Sequence, residues 1–274
     1  MLKQLLFFCL LFSNIGFINA QTVTKILELP LKGDAYLNDL SNIYITNQDQ
    51  IFQLNLKGDT LFNYSNLNNG FVDLLDASNP YKINVLYRNY GLLQILDNHL
   101  GDQNYGEPIN LFDGGMIEPL LVTNALQNNL WLYDNGNYTL YRLLQDGSID
   151  VNTTNLNVLI GLTEKPSYMG NFNNEVYLYC NSDNILYVFD WYGSLLKRVQ
   201  IPQNDVFSSY QNHFIYYLNH QVYIYSDKFN TSQVLFSIPK EEEENDIKSI
   251  TYNGKYFMMT TQNKMKLYQI KKDK

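Results

Sequence analysis

The sequence predicts an all-β protein, a six-bladed β-propeller closed by its N-terminal strand, and two repeating features support this. Six apolar hairpin cores begin at Ile43, Ile83, Leu130, Val176, Ile215 and Tyr256. Their mean spacing of about 43 residues lies within the roughly 40 to 45 residues of one four-stranded blade. Turns that contain Gly58, Gly101, Gly147 and Gly193 follow four of these hairpins with the same period. Two independent features with one period indicate a repeat architecture.

The glycines predict how each blade ends. A glycine at a fixed place after a hairpin indicates a backbone position with positive φ that closes the outer hairpin of the blade. In the fifth unit Asn230 stands near this place, and asparagine tolerates the same conformation. Shorter apolar segments before each hairpin are the predicted innermost strands: 35–37, 71–74, 119–122, 167–169, 206–208 and 247–250.

The two ends of the chain predict how the ring closes. The sixth unit runs out after residues 265–270, while residues 23–29 form a strand pattern without a partner. Placing residues 23–29 as the outermost strand of the sixth blade resolves both observations and removes open sheet edges. A pair of β-sandwiches is the competing fold, but sandwiches lack a fixed period. No segment shows a helical pattern and no linker divides the chain, so residues 21–274 are predicted to form one domain.

The first twenty residues have the pattern of a secretory signal peptide. Lys3 precedes an apolar run at 5–12, and a less apolar stretch ends at Ala20, a plausible cleavage site. A membrane anchor is the alternative, but the run is shorter than the roughly 18 residues that span a bilayer. Lipidation at Cys9 is not expected, because the small residues of a lipoprotein site are absent before it. The expected product is an exported protein that is periplasmic, associated with the outer membrane or extracellular, and not integral to a membrane.

Charge and cysteine content limit the partners. The formal charge of −8 becomes −9 without residues 1–20, which hold one lysine and no acid. An acidic chain repels phosphate backbones and anionic lipids, so nucleic acid is not expected as a partner. Cys180 is the one cysteine after cleavage, which excludes an intramolecular disulfide, and it is expected to be buried.

No residue pattern predicts a cofactor, a metal site or catalysis. His99, His213 and His220 lack ligand spacing, and a single cysteine builds no thiolate site. Calcium bound by scattered Asp and Asn oxygens in the channel stays open, since such ligands need no linear motif. Nucleophile-elbow and phosphate-binding glycine motifs are also absent from the sequence. The sequence therefore favours a protein that is not an enzyme.

Six polar hairpin turns provide the candidate binding residues. Asn, Asp and Gly in them are what tight turns require, but on a propeller all six turns share one face. The predicted binding residues on this face are Asp49, Arg88, Tyr90, Asp134, Asn135, Asp183 and His220. The acidic run 241–246 between the fifth and sixth blades is expected to be a solvated loop. Alternatively, it repels anionic partners or meets a basic one.

Across residues 21–274 the chain resembles the exported six-bladed propellers of the NHL-like and YWTD-like groups. The resemblance rests on the repeat and on the strand–turn–strand pattern at 53–61, QLNLKGDTL. It implies a Gram-negative cell-envelope protein that binds through one face of the disc. Repeated Trp-Asp endings, Gly-Gly pairs and Asp boxes are missing, and two tryptophans are too few for quinoprotein motifs. These departures disfavour the subgroups with assigned activities.

Two functions follow as hypotheses. The first is a non-enzymatic scaffold that binds a protein partner in the envelope. The alternative is binding or hydrolysis of a glycan or another small polar ligand in the central channel. The sequence leaves the partner and the oligomeric state open.

Overall fold

The fold consists of six small antiparallel sheets. The computed structural model describes residues 22–103, 107–226, 230–242, 244 and 246–271. Within these residues the strands are β1 (Thr22–Pro30), β2 (Ala35–Leu37), β3 (Ile43–Asn47), β4 (Gln50–Leu54), β5 (Thr60–Ser65), β6 (Leu74–Asn79), β7 (Lys82–Tyr87), β8 (Leu92–Leu96), β9 (Ile109–Asn110), β10 (Pro119–Asn124), β11 (Leu130–Asp134), β12 (Thr139–Leu143), β13 (Ile149–Asn152), β14 (Tyr168–Phe172), β15 (Glu175–Cys180), β16 (Ile185–Phe189), β17 (Leu195–Gln200), β18 (Val206–Tyr210), β19 (His213–Leu218), β20 (Gln221–Ser226), β21 (Thr231–Ser237), β22 (Ser249–Tyr252), β23 (Tyr256–Thr260) and β24 (Lys264–Lys271). The predicted signal peptide, residues 1–20, lies outside the described residues.

Each sheet is one blade of a six-bladed propeller. In blades one to five, four consecutive strands pair in chain order from the innermost to the outermost, beginning with β2 in blade one. Blade six has the order β22, β23, β24 and then β1. Val23 lies opposite Ile270 and Leu29 lies opposite Met265 in the antiparallel pair of β1 and β24. The predicted closure of the ring by the N-terminal strand is confirmed.

The hydrophobic core lies between the blades. Buried apolar side chains of the described residues form six clusters, one at each interface between neighbouring blades. Strand β15 shows how the sequence achieves this, because successive side chains of a strand point to opposite faces. Val176 and Leu178 pack towards blade three, whereas Tyr177 and Tyr179 pack towards blade five. The hairpin cores are therefore continuous apolar runs, since both faces of each blade are covered.

Cys180, at the end of β15, belongs to the cluster between blades three and four. Its side chain is fully buried, and it is a free thiol. Burial raises the pKa of the Cys180 thiol to about 12. The expectation that this cysteine is buried is confirmed.

The predicted closing positions of the outer hairpins are confirmed in four blades. Their residues have positive φ, namely Gly58 at 88°, Gly147 at 86°, Gly193 at 79° and Asn230 at 49°. Glycine adopts this conformation without a steric penalty, and asparagine tolerates it.

Blade two departs from this pattern by one residue. The positive φ falls on Leu100, at 61°, and Gly101 is not among the residues with positive φ. The Asp97 carboxylate determines which residue of the turn adopts positive φ. Its Oδ1 accepts hydrogen bonds from the backbone N–H groups of His99 at 2.7 Å and Gly101 at 2.8 Å. The prediction that Gly101 supplies the left-handed position is wrong. The hydrogen bonds to Asp97 place the left-handed conformation at Leu100, one residue earlier.

The innermost strand of blade two also differs from its prediction. Strand β6 begins at Leu74, so most of the predicted segment 71–74 is a connector. Phe71 in this connector is 63% exposed. An apolar residue at this place thus lies on the surface instead of in the sheet.

A short helix, α1 (Leu156–Ile160), lies in the connector between blades three and four. The Asn155 side chain accepts a hydrogen bond from the backbone N–H of Val158 at 3.1 Å, and Gly161 ends the helix with φ of 71°. The prediction of no helix is wrong here, and the capping pair Asn155 and Gly161 was the available sequence signal. Among the described residues, no helix has the length and apolar character to cross a membrane.

Candidate interaction face

One face of the disc is built from two kinds of loop, which we call together the hairpin-turn face. The turns between the second and third strands of each blade lie beside the connectors that lead from one blade to the next. In all six blades a connector N–H donates to a turn carbonyl at 2.7 to 2.9 Å: Leu31 to Asn263, Val72 to Gln48, Leu111 to Gly91, Leu156 to Tyr138, Ile201 to Asn184 and Ile238 to His220. These bonds fix the connectors against the turns.

The donor residues are apolar in every blade, and five of the six are buried. Each places one side chain into the end of the interface between blades while its backbone anchors the connector. These positions were not among the sequence predictions. In four blades the donor directly follows the outermost strand, which was the available signal: Leu31, Leu111, Ile201 and Ile238.

Two predicted binding residues on this face, Asp49 and Asp134, are buried. Asp49 accepts a hydrogen bond from Ser65 Oγ at 2.5 Å. Asp134 is 0% exposed, and its carboxylate accepts backbone N–H bonds from Ile117 at 3.2 Å, Glu118 at 2.6 Å and Asn137 at 3.1 Å. Asp134 therefore holds the connector between blades two and three onto the turn of blade three.

Arg88 lies at the mouth of the central channel. Its Nε donates to the carbonyl of Leu120 at 3.0 Å, and its backbone N–H donates to Asp73 at 2.7 Å. Asp34 and Lys248, which precede the inner strands of blades one and six, form an ion pair of 2.5 Å. Arg88, Asp34 and Lys248 therefore have partners within the protein.

Asn135 and Asp183 lie in the turns of blades three and four. Asn135 Nδ2 donates to Glu118 at 2.7 Å, and Glu118 also pairs with Lys165 at 2.7 Å. Asp183 is exposed, and its carboxylate accepts one backbone bond from Ile185 at 3.1 Å. Their binding role stays a prediction.

Exposed apolar side chains lie in the turns and connectors of blades one to four on the hairpin-turn face, and we call this surface the apolar arc. Its members are 42% to 80% exposed: Leu67, Phe71, Tyr90, Phe112, Ile117, Val158 and Leu159. The ring of Tyr90 covers Gly70, where a Cβ would lie 2.6 Å from Cε2, and the ring of Phe112 covers Gly91 at the same distance. Phe71, Tyr90 and Phe112 are thus neighbours across two successive connectors.

Blades five and six carry a different surface, which we call the acidic cleft. It has a volume of about 540 Å³ and is lined by Asp205, Tyr217, Asn219, His220, Glu244, Asp246 and Ile247. The predicted residue His220 is here, with Nδ1 3.3 Å from the Tyr217 hydroxyl. Among the residues that the structure describes, no three His, Cys, Asp or Glu side chains form a group able to hold a metal ion.

Part of the acidic run beside this cleft is held by lysines of blade six. Lys266 contacts Glu242 at 2.9 Å and Glu244 at 2.6 Å, Lys264 contacts Glu244 at 2.7 Å, and Lys25 of β1 contacts Glu242 at 2.8 Å. Hydrogen bonds from Lys25 and Lys266 lower the pKa of Glu242. The expectation of a solvated loop is wrong for these two glutamates, because their side chains are only 18% and 14% exposed.

The comparisons with known proteins concern the fold. No protein-family model matches the sequence, and no significant match exists among curated proteins. The structure is similar to virginiamycin B lyase from Staphylococcus aureus, with a TM-score of 0.60 and 13% identity over 90% of this chain and 99% of that one. It is also similar to the WD40 repeats of RRP9 (TM-score 0.65, 9% identity, 91% and 100% covered) and to the Pan2 WD40 domain of Neurospora crassa (0.62, 6%, 92% and 96%). At these identities the likeness shows a β-propeller fold and no activity.

Proposed function

We propose that this protein is a non-enzymatic scaffold that binds a partner protein through its hairpin-turn face. The observation that carries the proposal is the apolar arc. Large apolar side chains that are neighbours on a surface, as Phe71, Tyr90 and Phe112 are, are typical of protein-interaction sites, whereas scattered ones are ordinary. Aromatic side chains such as Tyr90 and Phe112 are the residues that supply binding energy at such sites.

The fold alone does not distinguish a scaffold from an enzyme. The similar structures include one protein named as a lyase as well as WD40 repeats. Binding of a glycan in the central channel is the second hypothesis. Three charged groups near the channel are already engaged, since Asp34 pairs with Lys248 and Arg88 binds the Leu120 carbonyl. This is why we prefer the apolar arc as the binding site.

We also propose that the protein acts outside the cytoplasm, in the periplasm or on the outer membrane. The pattern of residues 1–20 supports export, and the resemblance to exported NHL-like and YWTD-like propellers supports a cell-envelope location. Intact-mass analysis of protein from the native cell tests this, with a chain that begins at Gln21 as the expected result. A chain that retains residues 1–20 would refute it.

A pair of double variants tests the scaffold function. Phe112→Ser with Ile117→Ser removes two apolar anchors of the arc, and Tyr81→Ser with Leu126→Ser changes two exposed apolar residues on the opposite face. Each tagged protein is cross-linked in its native cell and the captured proteins are quantified. Loss of two anchors at about 1 to 2 kcal/mol each should lower capture by tenfold or more, with the control unchanged.

Equal capture by the arc variant and the wild type would contradict the proposal. Thermal melting of both variants serves as the folding control. The altered side chains are exposed, so both melting temperatures should stay close to that of the wild type.

A further inference from the structure

We infer that three glycines of the hairpin-turn face, Gly70, Gly91 and Gly136, are positioning residues of the binding site. Each one packs against an exposed side chain of the apolar arc and so fixes the position of that side chain before a partner binds. The inference rests on the proposed function, and it names residues that act on binding through their neighbours.

Gly70 and Gly91 lie under aromatic rings of the arc. Tyr90 is 57% exposed and Phe112 is 42% exposed, yet each ring packs on a glycine of another loop. A Cβ on Gly70 would lie 2.6 Å from Cε2 of Tyr90, and a Cβ on Gly91 would lie 2.6 Å from both Cδ1 and Cε1 of Phe112. Non-bonded carbon atoms pack at about 3.5 to 4 Å. A side chain on either glycine would therefore displace the ring above it.

Gly136 lies beside the backbone of the connector that carries Ile117. A Cβ on Gly136 would lie 2.7 Å from the Cβ of Ile117 and 3.2 Å from the backbone nitrogen of Glu118. That nitrogen donates to the buried Asp134 carboxylate at 2.6 Å, which holds the connector in place. A side chain at position 136 would therefore move Ile117, which is 65% exposed, away from its position in the arc.

Backbone conformation explains only part of this pattern. Gly91 has φ of 59° and ψ of 33°, in the left-handed region that favours glycine. Gly136 is not among the described residues with positive φ, so its backbone would accept any residue. What Gly136 shares with Gly70 and Gly91 is an exposed apolar side chain in the space that its own side chain would fill. This shared contact indicates a role for all three glycines in shaping the arc.

Fixing these side chains in advance favours binding. An exposed side chain that moves among rotamers loses conformational entropy when a partner immobilises it. A ring that already packs on backbone loses part of that freedom during folding, so less is lost on binding. The arc is therefore a preformed surface. It selects a partner that matches it over one that requires these side chains to move.

Gly91→Ala and Gly161→Ala form a matched pair that separates the ring contact from backbone strain. Both glycines follow a short helical turn and are left-handed, Gly161 with φ of 71° and ψ of 27°. A Cβ on Gly161 would meet nothing within 4 Å. Cross-linked capture in the native cell should fall about fivefold for Gly91→Ala, because Phe112 is displaced, and should equal that of the wild type for Gly161→Ala.

Double variants test that each glycine acts through its neighbour. Gly91→Ala in the Phe112→Ser background should capture as much as Phe112→Ser alone, because the displaced ring is already absent. Gly136→Ala should lower capture about threefold or more, and this effect should disappear in the Ile117→Ser background. A merely structural role of the glycines would lower capture equally in both backgrounds.

Fluorine NMR reports the position of the ring without a partner. 4-Fluorophenylalanine replaces Phe112 in the mature protein, and its resonance is recorded with glycine or alanine at position 91 and at position 161. The resonance should shift with Gly91→Ala and stay unchanged with Gly161→Ala, since a Cβ contacts the ring only at position 91.

The outcomes separate this inference from the proposed function. An unshifted resonance in Gly91→Ala, equal capture by Gly91→Ala and Gly161→Ala, or an equal effect of Gly91→Ala with and without Phe112 would overturn the positioning role and leave the scaffold function standing. The scaffold function fails instead if the wild type and Phe112→Ser with Ile117→Ser capture equally, and the positioning role then fails with it.

Discussion

Deletion of residues 21–29 is expected to unfold the protein or make it aggregate. Strand β1 would be lost, and the edge of β24 would be left without a partner. Leu27 and Leu29 pack against the cluster between blades six and one, and Val23 packs against the cluster between blades five and six. Lys25 would no longer hold Glu242. At about 25 cal/mol per Å² of apolar surface, the loss amounts to a few kcal/mol of the roughly 5 to 15 kcal/mol available.

Circular dichroism melting of the mature chain and the deletion variant measures this effect. Removal of residues 272–274 is the matched control at the other end of the chain and should leave the melting temperature unchanged. The same melting temperature for the chain without residues 21–29 would show that ring closure by β1 contributes nothing to stability.

Asp134→Ala is expected to cost about 3 kcal/mol of unfolding free energy. The carboxylate is fully buried and accepts backbone bonds from Ile117, Glu118 and Asn137. Its removal leaves these N–H groups without an acceptor, and each unsatisfied buried donor costs about 1 to 3 kcal/mol, partly recovered by water entry. The connector that presents Ile117 to the apolar arc would also loosen.

The exposed Asp183, in the turn of blade four, serves as the control. Asp183→Ala removes an exposed carboxylate that accepts one bond from Ile185, so the expected cost is below about 1 kcal/mol. Urea denaturation of both variants gives the two free energies. Equal losses would mean that the buried carboxylate of Asp134 does not anchor the connector.

Most of the fold was predictable from the sequence because the repeat constrains it. The hairpin cores coincide with the middle strands, and the unpaired pattern at 23–29 matches β1. The backbone groups of a strand need hydrogen-bond partners. The strand pattern at 23–29 had no partner and the sixth blade lacked its outermost strand, so the two were predicted to pair. Backbone pairing alone therefore predicts the ring closure, whatever the packing of the side chains.

The candidate site was less predictable because burial depends on neighbouring loops. Asp134 is the last residue of β11 and Asp183 lies in the turn after β15, but both were predicted as turn residues that bind a partner. The connector before blade three passes over Asp134 and buries it, whereas Asp183 stays exposed. Phe71 is the opposite case, an apolar residue that was predicted to lie in an inner strand. It lies on the surface instead, in the connector before β6.

Site-specific photo-crosslinking tests the central claim, that a partner covers the hairpin-turn face, most directly. A benzophenone analogue of phenylalanine replaces Phe112 of the apolar arc in one protein and Tyr81 of the opposite face in another, both exposed aromatic positions. On irradiation in the native cell, the account predicts a discrete protein adduct from position 112 and none from position 81. An adduct from position 81 with none from position 112 would contradict it.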